Sequence, residues 1–113
     1  MEIFQLKSSS VSISGDYYQI IFDDDFDSID KPYFLVQCDL EFPNKECYIE
    51  CKNKKLISHY LVNSIDIDDR SFTIRYGASD IFVVRIEYQA NNEEQCELIH
   101  AATAMFDKVN IIN

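Results

Sequence analysis

Glycine and proline are nearly missing from this chain, at two residues each in 113. That scarcity excludes flexible linkers and low-complexity segments, and no stretch repeats internally. It also leaves no glycine-rich loop to cradle a phosphate and no elbow motif to expose a nucleophilic serine. No apolar run approaches the roughly 20 residues that a membrane-spanning helix needs. Basic residues are scarce as well: ten Lys and Arg stand against 20 Asp and Glu, a formal net charge of −10. Phosphate backbones and anionic membranes repel such a chain, so neither nucleic acid nor membrane is an expected direct partner. The opening Met1-Glu2-Ile3-Phe4-Gln5-Leu6-Lys7 lacks the basic start, apolar run and small-residue cleavage site of a secretory signal, which predicts a cytoplasmic protein.

What is present is a globular composition, 47% hydrophobic and 13% aromatic, of a size that forms one domain over residues 1–113 around one core. The acidity is uneven. Residues 1–30 carry seven acids and one Lys, and residues 61–113 carry nine acids against four bases. The middle stretch, 31–60, is close to neutral, with four acids and five Lys. The densest run is Asp23-Asp24-Asp25-Phe26-Asp27-Ser28-Ile29-Asp30, five carboxylates in eight residues. Like charges so close repel one another, and a folded chain gains nothing internally from them. A basic partner benefits from such a loop; otherwise it is simply solvated.

Strand signals fill most of the chain. Glu2–Lys7 reads as a short strand, loosened by Ser8-Ser9-Ser10 before a second at Val11–Ser14. Gly15-Asp16 is turn chemistry, and Tyr17–Phe22 is aromatic and β-branched. From Tyr33 to Phe42 the period is two: Phe34, Val36, Cys38, Leu40 and Phe42 share one face, and Tyr33, Gln37, Asp39 and Glu41 the other. Glu46–Cys51 repeats it, with Cys47, Ile49 and Cys51 inward and Glu46, Tyr48 and Glu50 outward. Lys52-Asn53-Lys54-Lys55 is a basic hairpin tip, and Leu56–Val62 a strand ending at an Asn63-Ser64 break. Ile65 and Ile67, then Phe72, Ile74 and Tyr76, alternate with polar residues across the turn Asp68-Asp69-Arg70-Ser71. Ile81–Tyr88 is apolar enough for a central strand.

After that the period changes to that of a helix. Asn91 or Asn92 caps it, with Glu94 or Gln95 as the returning half of a capping box. Leu98, Ile99, Ala102, Met105, Phe106 and Val109 make an apolar stripe, and Lys108 gives the far end the sign that suits the helix dipole. The fold class is therefore α+β: a mostly antiparallel β-sheet meander of about six to eight strands, with one C-terminal amphipathic helix packed on one face.

Candidate chemistry is thin. Asp23-x-Asp25-x-Asp27 has the alternate-carboxylate spacing of half a calcium loop, but Ser28 stands where the turn wants Gly and Phe34 where a bidentate Glu belongs. Cys47 and Cys51 lie four residues apart on a strand, about 13 Å, too far to share a zinc ion. With Cys38 they read as core thiols, kept free by a reducing compartment, and no metal or other cofactor is expected. His59, beside Tyr60 on a strand, is the one histidine placed for acid–base work; His100 reads as a rim or packed residue of the helix. Without a positioned nucleophile the chain does not read as an enzyme. Tyr33 and Tyr48 project outward beside Gln37, Asp39 and Glu50, a pattern that fits a protein interface and equally fits cross-strand packing on a solvent face.

The order Tyr33-x3-Gln37, an acidic stretch, Tyr48-Ile49-Glu50, a polar turn, hairpin strands and an acidic-capped helix resembles the bacterial immunity proteins of polymorphic toxin systems. It looks closest to the family catalogued as immunity protein ten. The resemblance runs from about residue 33 to 107, leaving the acidic loop outside it. It implies an immunity protein that neutralises a cognate toxin domain, delivered by a neighbouring cell, through stoichiometric contact. Independently of it, a small acidic domain without catalytic groups suits inhibition of a basic enzyme, such as a nuclease, since these hold phosphate backbones. The expected partner-binding residues are Asp23, Asp24, Asp25, Asp27, Asp30, Tyr33, Gln37, Asp39, Tyr48 and Glu50. Two alternatives stand beside this: an acidic nucleic-acid mimic that inhibits a DNA-binding protein, and a small hydrolase built on His59.

Overall fold

The computed structural model describes residues 2–24, 32–41, 46–51, 58–78 and 81–112. Along the chain run β1 (Glu2–Gln5), β2 (Ser8–Ser14), β3 (Tyr17–Asp23), β4 (Tyr33–Asp39), β5 (Glu46–Cys51), β6 (Ser58–Ile67), β7 (Ser71–Tyr76) and β8 (Phe82–Glu87). Helix α1 (Asn92–Met105) and a last short strand, β9 (Val109–Ile111), complete it. From β2 to β8 every neighbour in sequence is an antiparallel neighbour in space, so the expected meander is there. The closure is not hairpin-like. β1 lies parallel to β8, with Glu2 opposite Val84 and Gln5 opposite Glu87.

Two corners bend this single sheet into two layers. At the first, β1 and β2 act as one interrupted strand: Leu6 N donates to Glu87 O at 2.8 Å, and the next amide, Lys7 N, donates to Asp23 O at 3.0 Å. The strand thus leaves β8 and joins β3 within two residues. At the second corner β6 pairs with β5 through Ser58–Leu61 and with β7 from Val62 onward, across a bulge between Val62 and Ser64. Strands that change sheet through a bend or a bulge are how crossed sandwiches turn their corners. One layer is then β2–β5 with the start of β6, and the other is β1, β8, β7, the end of β6, and β9.

Alternation drives the core between the layers. Ile20, Val36 and Ile49 sit opposite one another on β3, β4 and β5, and Ile65, Ile74 and Val84 do the same on β6, β7 and β8. All six are buried. Phe22 joins the layers, its ring 5.1 Å from Phe72 and 5.2 Å from Tyr88. Helix α1 lies against β2, β3 and β9 and buries Leu98, Ala101, Ala102 and Met105. Asn91 caps it as expected, accepting from Glu94 N at 2.8 Å while Glu94 Oε1 accepts from Asn91 N at 2.9 Å. Gly15, at φ +61°, opens the two-residue turn that joins β2 to β3.

Five expectations need correction. Ser8, Ser9 and Ser10 do not loosen a strand; they pair with Asp23, Phe22 and Ile21, and Ser9, opposite the buried Phe22, is itself buried. Asn63-Ser64 bulges β6 without ending it. The helix stops at Met105, with Phe106 extended at its C-cap. Val109 and Lys108 therefore lie beyond it, Val109 on β9 parallel to Ile65 of β6. Leu40 is 39% exposed, because the strand ends at Asp39, and Phe42 lies outside the described residues.

The fifth concerns the cysteines. Cys38, Cys47 and Cys51 are buried on the apolar faces as expected, but Cys38 and Cys47 are bonded to each other. The register explains it: Val36–Ile49 and Gln37–Tyr48 are partners, so the next inward pair across β4 and β5 is Cys38–Cys47, with Cα atoms 4.7 Å apart. A bond closing so short a loop is worth about 2–3 kcal/mol in the chain-entropy account. Reduction, or Cys38→Ser with Cys47→Ser, should lower the thermal midpoint by roughly 10 °C or more without changing the far-ultraviolet dichroism. An unchanged midpoint would show that the paired sulfurs contribute only as packed side chains.

Candidate functional surface

Outward positions of the β2–β6 layer form a two-dimensional face. Across the strands run three rows: Ser12, Gln19, Gln37, Tyr48 and His59; then Ser10, Ile21, Leu35 and Glu50; then Ser8, Asp23 and Tyr33. At the other end Tyr17 pairs with Asp39, and Glu46 with Leu61. Six of the expected contact residues, Asp23, Tyr33, Gln37, Asp39, Tyr48 and Glu50, thus share one face. Asp24 follows directly at the end of β3. Asp25, Asp27 and Asp30 lie outside the described residues, as does the Lys52–Lys55 tip.

The chemistry of this face is one-sided. Among the described residues, β2 to β5 and the first four positions of β6 contain no Lys or Arg. The acids stand towards the perimeter, Asp39 and Glu46 at one end and Asp23 at the other, around a centre of Gln37, Leu35, Ile21 and Tyr48. Asp23 accepts from Ser8 Oγ at 2.7 Å, and Asp39 Oδ1 from Glu41 N at 3.0 Å. Tyr48 donates its hydroxyl to Glu50 Oε1 at 3.1 Å, and Tyr33 stands diagonally across from Glu50 on the neighbouring strand. Partial desolvation, followed by the Glu50 charge and hydrogen bonding, raises both phenols above their ordinary range, so they remain donors.

The opposite layer presents a different surface. There Arg75 Nη1 meets Asp66 Oδ2 at 2.8 Å, and Asn110 Nδ2 donates to Asp66 Oδ1 at 2.9 Å. The Asn110 and Arg75 hydrogen bonds hold the Asp66 carboxyl below its usual range. Asp68 works against partial desolvation: hydrogen bonds from Arg70 N, Ser71 Oγ and Ser71 N, with Arg85 nearby, still lower it. Asp66 and Asp68 are answered within the chain, whereas the strands of the β2–β6 face carry no Lys or Arg.

His59 is exposed on that face, its ring 5.3 Å from the Tyr48 ring. Clefts occur elsewhere. One of about 540 Å³ lies between Leu6, Arg70 and Tyr88, and one of about 180 Å³ lies over Thr73 and Arg85. His59 stands beside Tyr48 rather than in a site of its own, and its alternation with Leu61 puts both on the outer face. His100 is exposed on α1. Among the described residues no three His, Cys, Asp or Glu are grouped as metal ligands, and no helix is long and apolar enough to cross a membrane. Comparison with protein-family models, with curated proteins and with solved structures finds no match to this chain.

Proposed function

We propose that the protein is an immunity protein of a bacterial toxin system, which binds a basic toxin domain through the outer face of β2–β6 and neutralises it stoichiometrically. The observation that carries this reading is the absence of any Lys or Arg among the described residues of that face, beside Asp23, Asp39, Glu46 and Glu50. Acids at Asp23, Asp39 and Glu46 around an aromatic and amide centre suit a protein partner: the centre supplies desolvated contact and the acids supply steering. A phosphate mimic would instead want a continuous line of carboxylates. The central row, Ser12 to His59, carries none. The reading places the protein in the cytoplasm, where a toxin would meet the cell's own targets. In that compartment Cys38 and Cys47 would stand as facing thiols, the bonded form belonging to oxidising conditions.

The test is protection. The toxin domain encoded beside this chain, expressed alone, should arrest cells, and co-expression of this protein should restore growth and yield a 1:1 complex on gel filtration. Arrest that persists at equal expression would end the proposal.

A further inference from the structure

Glu50 stands out on the acidic face because an aromatic hydroxyl holds it, where Asp23 accepts from a serine and Asp39 from a backbone amide. We infer that Glu50, Tyr33 and Tyr48 form the anchor site for a single arginine side chain of the partner, an inference that rests on the β2–β6 face being the docking surface. Tyr48 lies two residues back on β5, on the same side of the sheet, and donates to Glu50 Oε1 at 3.1 Å. Tyr33 lies diagonally across on β4, two positions from Leu35, which is the direct partner of Glu50. Tyr48 thus orients the carboxylate and Tyr33 flanks it, while no cation among the described residues of the face occupies it.

A carboxylate offers about four lone-pair sites, so the Tyr48 donor leaves room for a further paired donor. A guanidinium is the group that fits. It donates two parallel N–H bonds to one carboxylate, and its flat face stacks on aromatic rings. An ammonium can do the first only as a point charge. His59 packs against Tyr48 with the rings tilted by 58°, which supports the phenol ring from the β6 side. Leu35 and Ile21 continue the floor as apolar surface for the arginine stem. The occupant is therefore an arginine on a basic protein surface, the charge complement of this face.

The test uses two blocked peptides of equal charge, tetra-arginine amide and tetra-lysine amide, titrated into the full chain and followed by amide NMR. The arginine peptide should bind about fivefold or more tighter, with the largest shifts at Tyr33, Tyr48 and Glu50. Glu50→Gln, which keeps the shape, should weaken the arginine peptide about tenfold and abolish the preference. Tyr48→Leu should reduce the preference while leaving lysine binding unchanged, and Asp39→Asn should weaken both peptides alike. Equal binding of the two peptides to this face would overturn the anchor and leave the acidic docking surface standing. Binding of neither peptide to this face would overturn both. Each variant is checked for a native amide spectrum, and Tyr48→Phe, which keeps the ring, should retain most of the preference.

Discussion

Phe22→Ala is expected to cost about 3–5 kcal/mol, because it deletes a wholly buried ring and leaves a cavity where the two layers meet. The ring lies on β3, in the layer that carries the acidic face, yet its neighbours Phe72 and Tyr88 belong to the opposite layer. Tyr88 is itself fixed, since its hydroxyl donates to Gln95 Oε1 at 2.7 Å and Gln95 Nε2 donates to Asp68 O at 2.8 Å. Burial pushes that phenol up to about 12. Removing Phe22 therefore loosens the contact between layers and the seat of the helix together. Single domains have only about 5–15 kcal/mol in total, so the variant should melt roughly 15 °C or more below the parent. Urea denaturation followed by dichroism would measure it. A loss under about 1 kcal/mol would mean that the layers do not close on this ring.

Within each strand, the fold was legible wherever one face is buried and the other is wet. Phe34, Val36 and Cys38 against Tyr33, Gln37 and Asp39 is a pattern that only a half-buried strand satisfies, and Cys47, Ile49 and Cys51 repeat it. The same parity puts Tyr33, Gln37, Asp39, Tyr48 and Glu50 on one surface. What parity cannot supply is which distant edges meet. The parallel contacts of β1 with β8 and β9 with β6 join segments far apart in sequence, and nothing local in Glu2–Gln5 or Val109–Ile111 encodes the partner. Val109 fits the helical stripe by spacing alone; the chain instead leaves the helix at Phe106, extended and buried, and turns back to β6. The cysteine pairing was hidden for the same reason. Facing sulfurs are a property of register between two strands, and the compartment argument concerned chemistry outside the molecule. Asp23 joined the site through its pairing with Tyr33, a contact across the acidic loop that strand alternation alone does not define.

The triple change Asp23→Lys, Asp39→Lys and Glu46→Lys should slow association with the proposed basic partner by about 10- to 100-fold at low salt, with a much smaller change in dissociation. These three stand on the perimeter of the face, outside the Tyr33–Glu50–Tyr48 group, so they act mainly through the field they create. A field effect has a signature: parent and variant rates should converge as ionic strength approaches about 1 M, where the screening length falls to roughly 3 Å. Total charge alone does not account for the expectation. Asp69→Lys, Glu93→Lys and Glu97→Lys together change the net charge by the same amount at exposed positions away from this face, and that control should lose far less rate. Folding should tolerate the reversal, because none of the three is buried in the core and the bonds lost, from Ser8 Oγ to Asp23 and from Glu41 N to Asp39, lie at strand ends. Stopped-flow association across a salt series separates the outcomes. Equal slowing by both triples would make the protein a diffuse acidic attractor, and slowing that survives high salt would make the three carboxylates contact groups. Only a local, salt-sensitive loss of rate matches a face whose charge guides the partner and whose tyrosines hold it.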